Sequence, residues 1–293
     1  MKIDGVVVLY HPDDNILDNI DSYIHDLNKL YVVDNTPDTD IGDKFKKYKN
    51  IEYIPLNSNE GIAYALNVGA KRAIKDKAKY LLTMDQDSKF RDNDFKKMVQ
   101  MLETIHKNKD IALLMGIDCE KIGVISPFHV TERTKGSVAF VKGIEFLLEV
   151  MCSGNLINLD AYQAVGGFKD WMFIDCVDFD YCFNLQRNGY RVIRYNEVKL
   201  DHKLGDTKNV SMFGKQAYTD NHSAIRWYYM ARNRKYIYDM YYDIFPGYCA
   251  ALVKLTKKEL LKIWLFENDK IAKTKAILQG LKDHKRGVKG KKK

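Results

Sequence analysis

The sequence has 293 residues and a formal net charge of +8, and its length fits one large domain or one domain with an extension. Hydrophobic residues make up 46% and charged residues 29% of the chain, which is typical of a soluble globular protein. The 5 cysteines are irregularly spaced without a Cys-x-x-Cys pair, which argues against a disulfide framework and a zinc site and predicts free thiols.

Short apolar runs alternate with helical patterns through the first part of the chain. Strands are predicted at Gly5–Tyr10, Leu30–Val33, Ile51–Leu56 and Tyr80–Met84, the first of them fully buried, and helices at Ile16–Leu27 and Gly61–Ile74. This alternation predicts an α/β fold with a mostly parallel central sheet flanked by helices.

The second part of the chain is less regular. Strands are predicted at Ile111–Gly116, Gly123–Ser126, Glu145–Val150, Tyr190–Arg194 and Val198–His202, and helices at Asp160–Val165, Asp178–Arg187 and His222–Tyr242. After about residue 206 the sequence pattern changes to long helical stretches and a basic end. We therefore divide the chain into a domain over residues 1–206 and a C-terminal helical region over residues 207–293.

The last ten residues form a basic tail, His284–Lys293, in which six residues are Lys or Arg and none is acidic. Such a tail can meet anionic lipid or nucleic acid, and it can equally be a disordered, solvated end. The sequence opens directly into a strand, and its longest apolar stretches are far shorter than a membrane span. We therefore expect a cytoplasmic protein, for which peripheral attachment to the inner face of the cell membrane stays open.

Polar residues follow four of the predicted strands. Tyr10, Asp34, Asn57 and Asp85 each stand where a strand of the predicted parallel sheet ends. Ligands of such sheets bind beyond the carboxyl ends of the strands. These four residues are therefore candidates for one shared site.

Asp85-Gln86-Asp87 places two carboxylates one residue apart, directly after a buried strand. Such a pair suits a hard divalent cation that bridges to phosphate oxygens. Asp-x-Asp is frequent, however, and taken alone it is more often part of a loop or a helix cap.

Asn59, Gly61, Ala63 and Asn67 form a spaced pattern ahead of and within the predicted second helix. The small residues let the backbone approach a ligand closely. The alternative is a helix start with Asn59 as its cap and small residues for tight packing.

Asp175, Asp178 and Asp180 follow a Gly166-Gly167 turn and precede a helix. Capping and the helix dipole explain one or two acids at such a position. Three acids in a partly apolar segment predict a general base directed at a cleft.

Taken together, these motifs resemble glycosyltransferase family 2, and within it the bacterial rhamnosyltransferases of cell-surface polysaccharide assembly. The resemblance runs collinearly over roughly residues 3 to 235. It is carried by Val6–Tyr10, Val33–Asn35, Asn59–Ala63 with Asn67, Met84–Ser88, Ser153–Ile157, Gly166–Phe168, Phe173–Asp175, Val177–Asp180, His202–Gly205, and His222–Ser223 through Arg226–Tyr229 to Arg232–Asn233.

The resemblance implies a GT-A fold in residues 1–206, a divalent metal (Mg²⁺ or Mn²⁺) and inversion at the anomeric carbon. It implies that Asp85, Asp87 and His202 bind the metal. It also implies that Asp178 is the catalytic base; Asp175 and Asp180, near the acceptor, are the alternative candidates for that role. It places Tyr10, Asp34, Asn59, Gly61, Asn67, Asp85, Gln86, Arg226 and Arg232 around the donor, and Gly154 and Asn155 on the acceptor side or behind the ligands. Val177 stands where the family has a Glu beside its catalytic Asp, so this sequence departs from the family pattern next to Asp178.

The resemblance favours transfer of L-rhamnose from dTDP-L-rhamnose to a saccharide acceptor, for which it implies a lipid-linked form, in cell-wall, capsule or O-antigen synthesis. A UDP-hexose donor is the nearest alternative, and a basic nucleic-acid-binding protein is the alternative from another class. No nucleic-acid-binding motif is present, so no nucleic-acid partner is expected. The apolar and Lys-rich segment Leu252–Trp264 suits a membrane surface, an oligomer face or a packed helix.

Overall fold

The computed structural model describes residues 1–131, 142–203, 208–212, 215–219 and 221–292. The chain divides into two compact units. The first contains Met1–Lys169 and Tyr181–Lys203, and the second contains Asp170–Asp180 and the described residues after Lys203. The predicted division at residues 206 and 207 lies outside the described residues.

The strands and helices follow one another along the chain as the alternation predicts. The strands are β1 Ile3–Leu9, β2 Lys29–Asp34, β3 Ile51–Pro55, β4 Tyr80–Asp85, β5 Lys89–Phe90, β6 Ile122–Val130, β7 Ile144–Phe146, β8 Asn155–Asn158, β9 Arg191–Asp201, β10 Lys208–Met212 and β11 Lys215–Thr219. The helices are α1 Ile16–Asp21, α2 Ile62–Lys75, α3 Asp94–Lys107, α4 Lys109–Leu114, α5 Leu159–Val165, α6 Val177–Arg187, α7 Ala224–Tyr241, α8 Pro246–Phe266 and α9 Lys270–Lys285.

The first unit is built on one sheet with the strand order β3-β2-β1-β4-β8-β6-β9-β5, and β7 pairs with β9. Strands β3, β2, β1 and β4 are parallel, as are β6 and β9. Every residue of β1 is buried, as the unbroken apolar runs of a parallel strand require. The α/β fold predicted from the alternation is confirmed, with β8, β7 and β5 added in the antiparallel sense.

Helix α2 lies close against β1 because Gly69 has no side chain. A Cβ atom at this position would lie 2.3 Å from Cγ2 of Val6, far inside van der Waals contact. The small residues of α2 therefore include at least one that serves packing, as the alternative interpretation of this pattern held.

Several stretches adopt a different secondary structure from the predicted one. The strand predicted at Glu145–Val150 is confined to β7, and the strands predicted at Tyr190–Arg194 and Val198–His202 are parts of the single strand β9.

The predicted strand Ile111–Gly116 is wrong, because α4 occupies Lys109–Leu114. The Asn108 side chain accepts hydrogen bonds from the backbone N–H groups of Asp110 and Ile111, each at 3.1 Å, and so caps this helix. The predicted helix Ile16–Leu27 is also interrupted, since the Ser22 hydroxyl bonds to the carbonyl of Asn19 at 2.7 Å and α1 ends at Asp21.

The second unit is mainly helical and is held by buried ion pairs as well as apolar contacts. Trp227, Ala231, Ile263 and Ile277 form a cluster among α7, α8 and α9. Arg234 of α7 is paired with Glu259 of α8, with Nη2 and Oε1 3.0 Å apart. Among the described residues, no helix is long and apolar enough to cross a membrane.

The basic tail is hydrogen-bonded to α7 and to Trp171 over its described residues 284–292, which argues against a disordered end, although most of these residues are exposed to solvent. The backbone N–H of Gly290 donates to the carbonyl of Trp171 at 2.8 Å. The backbone N–H of Lys292 donates to the Tyr229 hydroxyl at 2.7 Å, and the Tyr236 hydroxyl donates to the carbonyl of Val288 at 3.0 Å. All three bonds use the backbone of the tail, so they do not depend on its charge.

Candidate functional site

Asp85, Asp87 and His202 lie together in the first unit, and we call them the carboxylate–histidine cluster. One possible ligand atom from each lies within 4.8 Å of the others. Strand pairing explains the meeting, because β5 begins just after Asp87 and pairs with the end of β9, with Lys89 opposite Asp201. The pairing brings His202 next to a loop 114 residues away along the chain.

Neighbouring side chains fix the position of the His202 ring. The Ser88 hydroxyl lies 2.7 Å from Nδ1 of His202, and Oδ1 of Asp87 lies 3.8 Å from the same nitrogen. Arg91 makes a two-pronged ion pair with Asp201, with distances of 2.6 to 3.0 Å. A ring held in this way loses little freedom when it binds an ion.

The donor set fits a divalent cation. Two carboxylates and one imidazole provide oxygen and nitrogen ligands that suit Mg²⁺ or Mn²⁺. Each of the three residues is partly exposed, so an ion can reach them and can keep positions for oxygen atoms of a ligand.

His129 supports this cluster and was missed by the sequence analysis. Its Nε2 lies 2.7 Å from the carbonyl oxygen of Ser153, and its ring meets that of His202 edge to face at 6.1 Å. Burial lowers the pKa of His129 to about 4, so the ring is neutral at pH 7 and donates to the carbonyl. A lone histidine within a strand has no motif that would have identified it.

The turn between Cys152 and Asn155 positions Asp85. The Ser153 hydroxyl accepts a hydrogen bond from the backbone N–H of Asp85 at 3.0 Å, and the N–H of Gly154 donates to the carbonyl of Thr83 at 2.7 Å.

Gly154 has φ +79°, and a Cβ atom there would lie 2.8 Å from side chains of Pro127 and Leu200. Asn155 is buried and donates to the carbonyl of Met151 at 2.7 Å. These contacts put Gly154 and Asn155 behind the cluster.

The ends of β1 and β4 are joined by Gln86. Its side-chain oxygen accepts from the N–H of Tyr10 at 2.8 Å, and its amide nitrogen donates to the carbonyl of Tyr10 at 3.1 Å. The Tyr10 ring remains 46% exposed, so it is available to stack on a planar ligand.

Asp34 is buried at the end of β2 and has two partners. Its oxygens accept from the N–H of Thr36 at 2.9 Å and from the hydroxyl of Tyr53 at 2.7 Å. Burial raises the pKa of Tyr53 to about 12, which keeps this hydroxyl a donor. Only 1% of Asp34 is exposed. A hydrogen bond to the base of a nucleotide would therefore require Asp34 to share an oxygen that already accepts one of these bonds.

Asn59 shapes the turn before α2. Its side-chain oxygen accepts from the N–H of Gly61 at 3.0 Å and from the Asn35 amide at 3.1 Å. Gly61 has φ +89°, in the region that favours glycine. Gly61 occupies the capping position directly before the helix, so Asn59 is not the helix cap and stabilises the turn from two residues earlier.

Asn67 is tied to the Gly166–Phe168 turn. Its amide nitrogen donates to the carbonyl of Phe168 at 2.7 Å, and its oxygen accepts from the N–H of Phe168 at 3.1 Å and from the Tyr162 hydroxyl. Asn67 is 6% exposed. These contacts give Asn67 a structural role, which differs from the donor contact that the resemblance implies.

The three acids just before and in the first turn of α6 have different surroundings within the second unit. Asp175 forms an ion pair with Arg226, with two distances of 3.2 Å. Asp180 has no exposed surface and accepts from the Tyr241 hydroxyl at 2.7 Å. Asp178 is partly exposed in the first turn of α6, which leaves it better placed than Asp180 to meet a substrate.

The Asp170–Cys176 segment is held from α7. Phe173, Asp175 and Cys176 have φ values of 68°, 62° and 63°, which cost free energy for residues with side chains. The amide nitrogen of Asn233 lies 2.9 Å from each of three carbonyl oxygens, those of Met172, Ile174 and Asp175. These bonds offset the strain of the segment that leads to Asp178.

Arg232 also serves this segment. Its guanidinium donates to the carbonyls of Trp171 at 3.1 Å, Met172 at 3.2 Å and Gly290 at 2.7 Å, and the residue has no exposed surface. This structural role takes the place of the donor contact expected for Arg232. Arg226 differs, because 42% of its side chain is exposed.

Comparison with known proteins finds similarity to glycosyltransferases. Residues 6–121 match the model of glycosyl transferase family 2. The chain is 29% identical over 247 residues to the dTDP-rhamnosyl transferase RfbF of Shigella flexneri, and the match covers 79% of this chain and 78% of that protein.

Solved structures with the same fold are far more distant in sequence. GalNAc-T7 with UDP, GalNAc and Mn²⁺ matches with a TM-score of 0.60 and 10% identity, over 98% of this chain and 58% of that one. Staphylococcus aureus TarS 1–349 in complex with UDP-GlcNAc matches with a TM-score of 0.54 and 16% identity, over 98% and 82%. The chain spans only 49% of a longer TarS chain that it matches with a TM-score of 0.54. These similarities confirm the GT-A fold.

Proposed function

Because residues 6–121 match the model of glycosyl transferase family 2 and the chain is similar to a dTDP-rhamnosyl transferase, we propose that it moves an L-rhamnosyl residue from dTDP-L-rhamnose to a saccharide acceptor. The match to a dTDP-rhamnosyl transferase over 79% of the chain carries this proposal. A lipid-linked acceptor, used in cell-wall, capsule or O-antigen synthesis at the inner face of the membrane, completes it.

Asp85, Asp87 and His202 would hold a divalent metal, either Mg²⁺ or Mn²⁺. The proximity of their ligand atoms supports this assignment. When bound, the metal supplies neutralisation of the charge on the leaving diphosphate. The Ser88 contact to His202 and the Ser153 contact to Asp85 position two of the three ligands.

Donor binding is assigned to the ends of the first four strands. The exposed Tyr10 ring is proposed to stack on the nucleotide base of the donor. Asp34 and the turn containing Asn59 and Gly61 are proposed to border that nucleotide base. Gln86 fixes the backbone of Tyr10. Arg226, held by Asp175, is proposed to pair with the departing diphosphate.

Asp178 is proposed to act as the base of a single displacement. Its carboxylate takes the proton of an acceptor hydroxyl, and the freed oxygen forms a bond to the anomeric carbon. The bond from that carbon to the diphosphate oxygen breaks, and dTDP leaves with the electron pair. Attack from the opposite face inverts the configuration. The ion pair of Asp175 and the complete burial of Asp180 favour Asp178 over both rivals.

Release of nucleoside diphosphate from a panel of donors tests the proposal. With Mg²⁺ or Mn²⁺ present, we expect dTDP-L-rhamnose to be used far better than UDP-glucose or UDP-galactose. Preference for a UDP-hexose would overturn the rhamnosyl assignment and leave the family assignment standing. Random-sequence DNA, titrated at several salt concentrations, tests the nucleic-acid alternative.

A further inference from the structure

Helix α8 has one face packed inside the second unit and one face exposed. The packed face carries Cys249, Leu252 and Ile263, all buried. The other face carries Leu255, Leu261 and Leu265, which are 39%, 52% and 49% exposed, with Lys254 and Lys258 exposed among them. These residues recur every three or four positions and therefore lie along one side of the helix.

Helix α9 repeats this arrangement. Ile271 and Leu278 are 65% and 58% exposed, and Lys275, Lys282 and Lys285 are exposed at the same spacing. Its opposite side carries Ala276, Ile277 and Gly280, which are buried. Two neighbouring helices thus each present a stripe of large apolar side chains and lysines.

Neither stripe contains a carboxylate. Glu259 is the one acidic residue in the sequence of α8, and it is buried and paired with Arg234. Asp283 is the one acidic residue of α9, and it is buried and accepts a hydrogen bond from the Tyr228 hydroxyl at 2.9 Å. Each helix has therefore turned its carboxylate inward and most of its lysines outward. Lys273 of α9 is the buried exception, and it pairs with Glu267.

We propose that the stripes of α8 and α9 form a docking surface for an anionic lipid bilayer. The leucine and isoleucine side chains would enter the headgroup region while the lysines meet lipid phosphates, which is the pattern of interfacial helices. Charge disfavours the other occupants. A symmetric dimer through this face would oppose lysines with lysines, and nucleic acid would leave the leucines exposed to water.

Vesicle flotation tests this surface without donor or acceptor, so its result does not depend on the proposed function. We expect the full chain to float with phosphatidylcholine vesicles that contain phosphatidylglycerol and not with phosphatidylcholine alone. Binding should weaken as salt rises. The double variants L261S/L265S and K254Q/K258Q should each reduce partitioning at least tenfold.

Two matched variants serve as controls. F146S/L148S removes exposed apolar residues of the first unit, and K46Q/K47Q removes exposed lysines there; both should float like the wild type. Three results would overturn the proposal: no flotation of folded wild type, unchanged flotation of the α8 variants, or a wild-type dimer that the α8 variants dissociate without any effect on vesicle binding.

Discussion

Among single residues, Asp178 carries the most direct catalytic prediction. The variant Asp178→Asn keeps the size of the side chain and removes the base, so turnover should fall about 10²- to 10⁴-fold. The melting temperature should change little, because Asp178 is partly exposed. Initial rates and thermal melts measure the two effects.

Asp110→Asn, at an exposed position of α4, is the matched control and should leave both quantities unchanged. If Asp178→Asn unfolds the protein instead of stopping turnover, the carboxylate is a helix-capping group and the base lies elsewhere.

Asn67 illustrates how a family position can serve the fold. In the variant Asn67→Asp the Phe168 carbonyl loses its donor, and the free energy of unfolding should fall by roughly 1–3 kcal/mol. Urea denaturation measures this change, with Asn93→Asp at an exposed position as control. Unchanged stability together with weakened donor binding would show instead that Asn67 contacts the donor.

At the scale of elements, the basic tail supports the Asp170–Cys176 segment. Deletion of residues 287–293 removes the carbonyl of Gly290 from the buried Arg232 and the N–H of Gly290 from Trp171. Because this segment leads to Asp178, we expect both a lower melting temperature and slower turnover.

A charge variant separates the backbone of the tail from its lysines. K289Q/K291Q/K292Q keeps the backbone hydrogen bonds and should retain nearly full stability and turnover. If this variant behaves like the deletion, the lysines, including the Lys289 and Lys292 ammonium groups over aromatic rings, provide the support instead.

Element prediction succeeded where the apolar pattern was long and failed where it was short. The strands β1 to β4 were predicted within two residues at each end, since the strands of a parallel sheet are mostly apolar. β3, at the edge of the sheet, is only partly buried. The short run Ile111–Leu114 fits a strand or a helix equally, and the cap from Asn108 decided the outcome. The ordered tail could not be predicted, because its backbone groups bond to partners far away in the chain, the Trp171 carbonyl and side chains of α7.

The carboxylate–histidine cluster was predicted only through the family resemblance. Asp85 and Asp87 are neighbours in sequence, but His202 joins them through the pairing of β5 with β9. A two-residue strand gives no detectable pattern. The roles of Asn67 and Arg232 could not be read from the sequence either, because both are set by distant carbonyl groups.

For the whole molecule, acid should weaken the fold through His106. Burial lowers the pKa of His106 below 6.5, and the Tyr80 hydroxyl lies 2.8 Å from its Nε2. The unfolded chain therefore takes up this proton at a higher pH than the folded chain, and the free energy of unfolding falls as pH drops below about 6.5.

Denaturant titrations from pH 7.5 to 5 in wild type and His106→Gln measure this contribution. The variant should show a shallower loss of stability with acid, because its glutamine does not titrate. Equal slopes in the two proteins would show that His106 has the same pKa in both states.

Calorimetric titration of dTDP-L-rhamnose measures whether the carboxylate–histidine cluster binds the donor through a divalent metal. We predict binding in Mn²⁺ that is lost in EDTA and in the variant Asp87→Asn, with the fold intact by circular dichroism. Equal donor affinity in Mn²⁺, in EDTA and in Asp87→Asn would contradict the account.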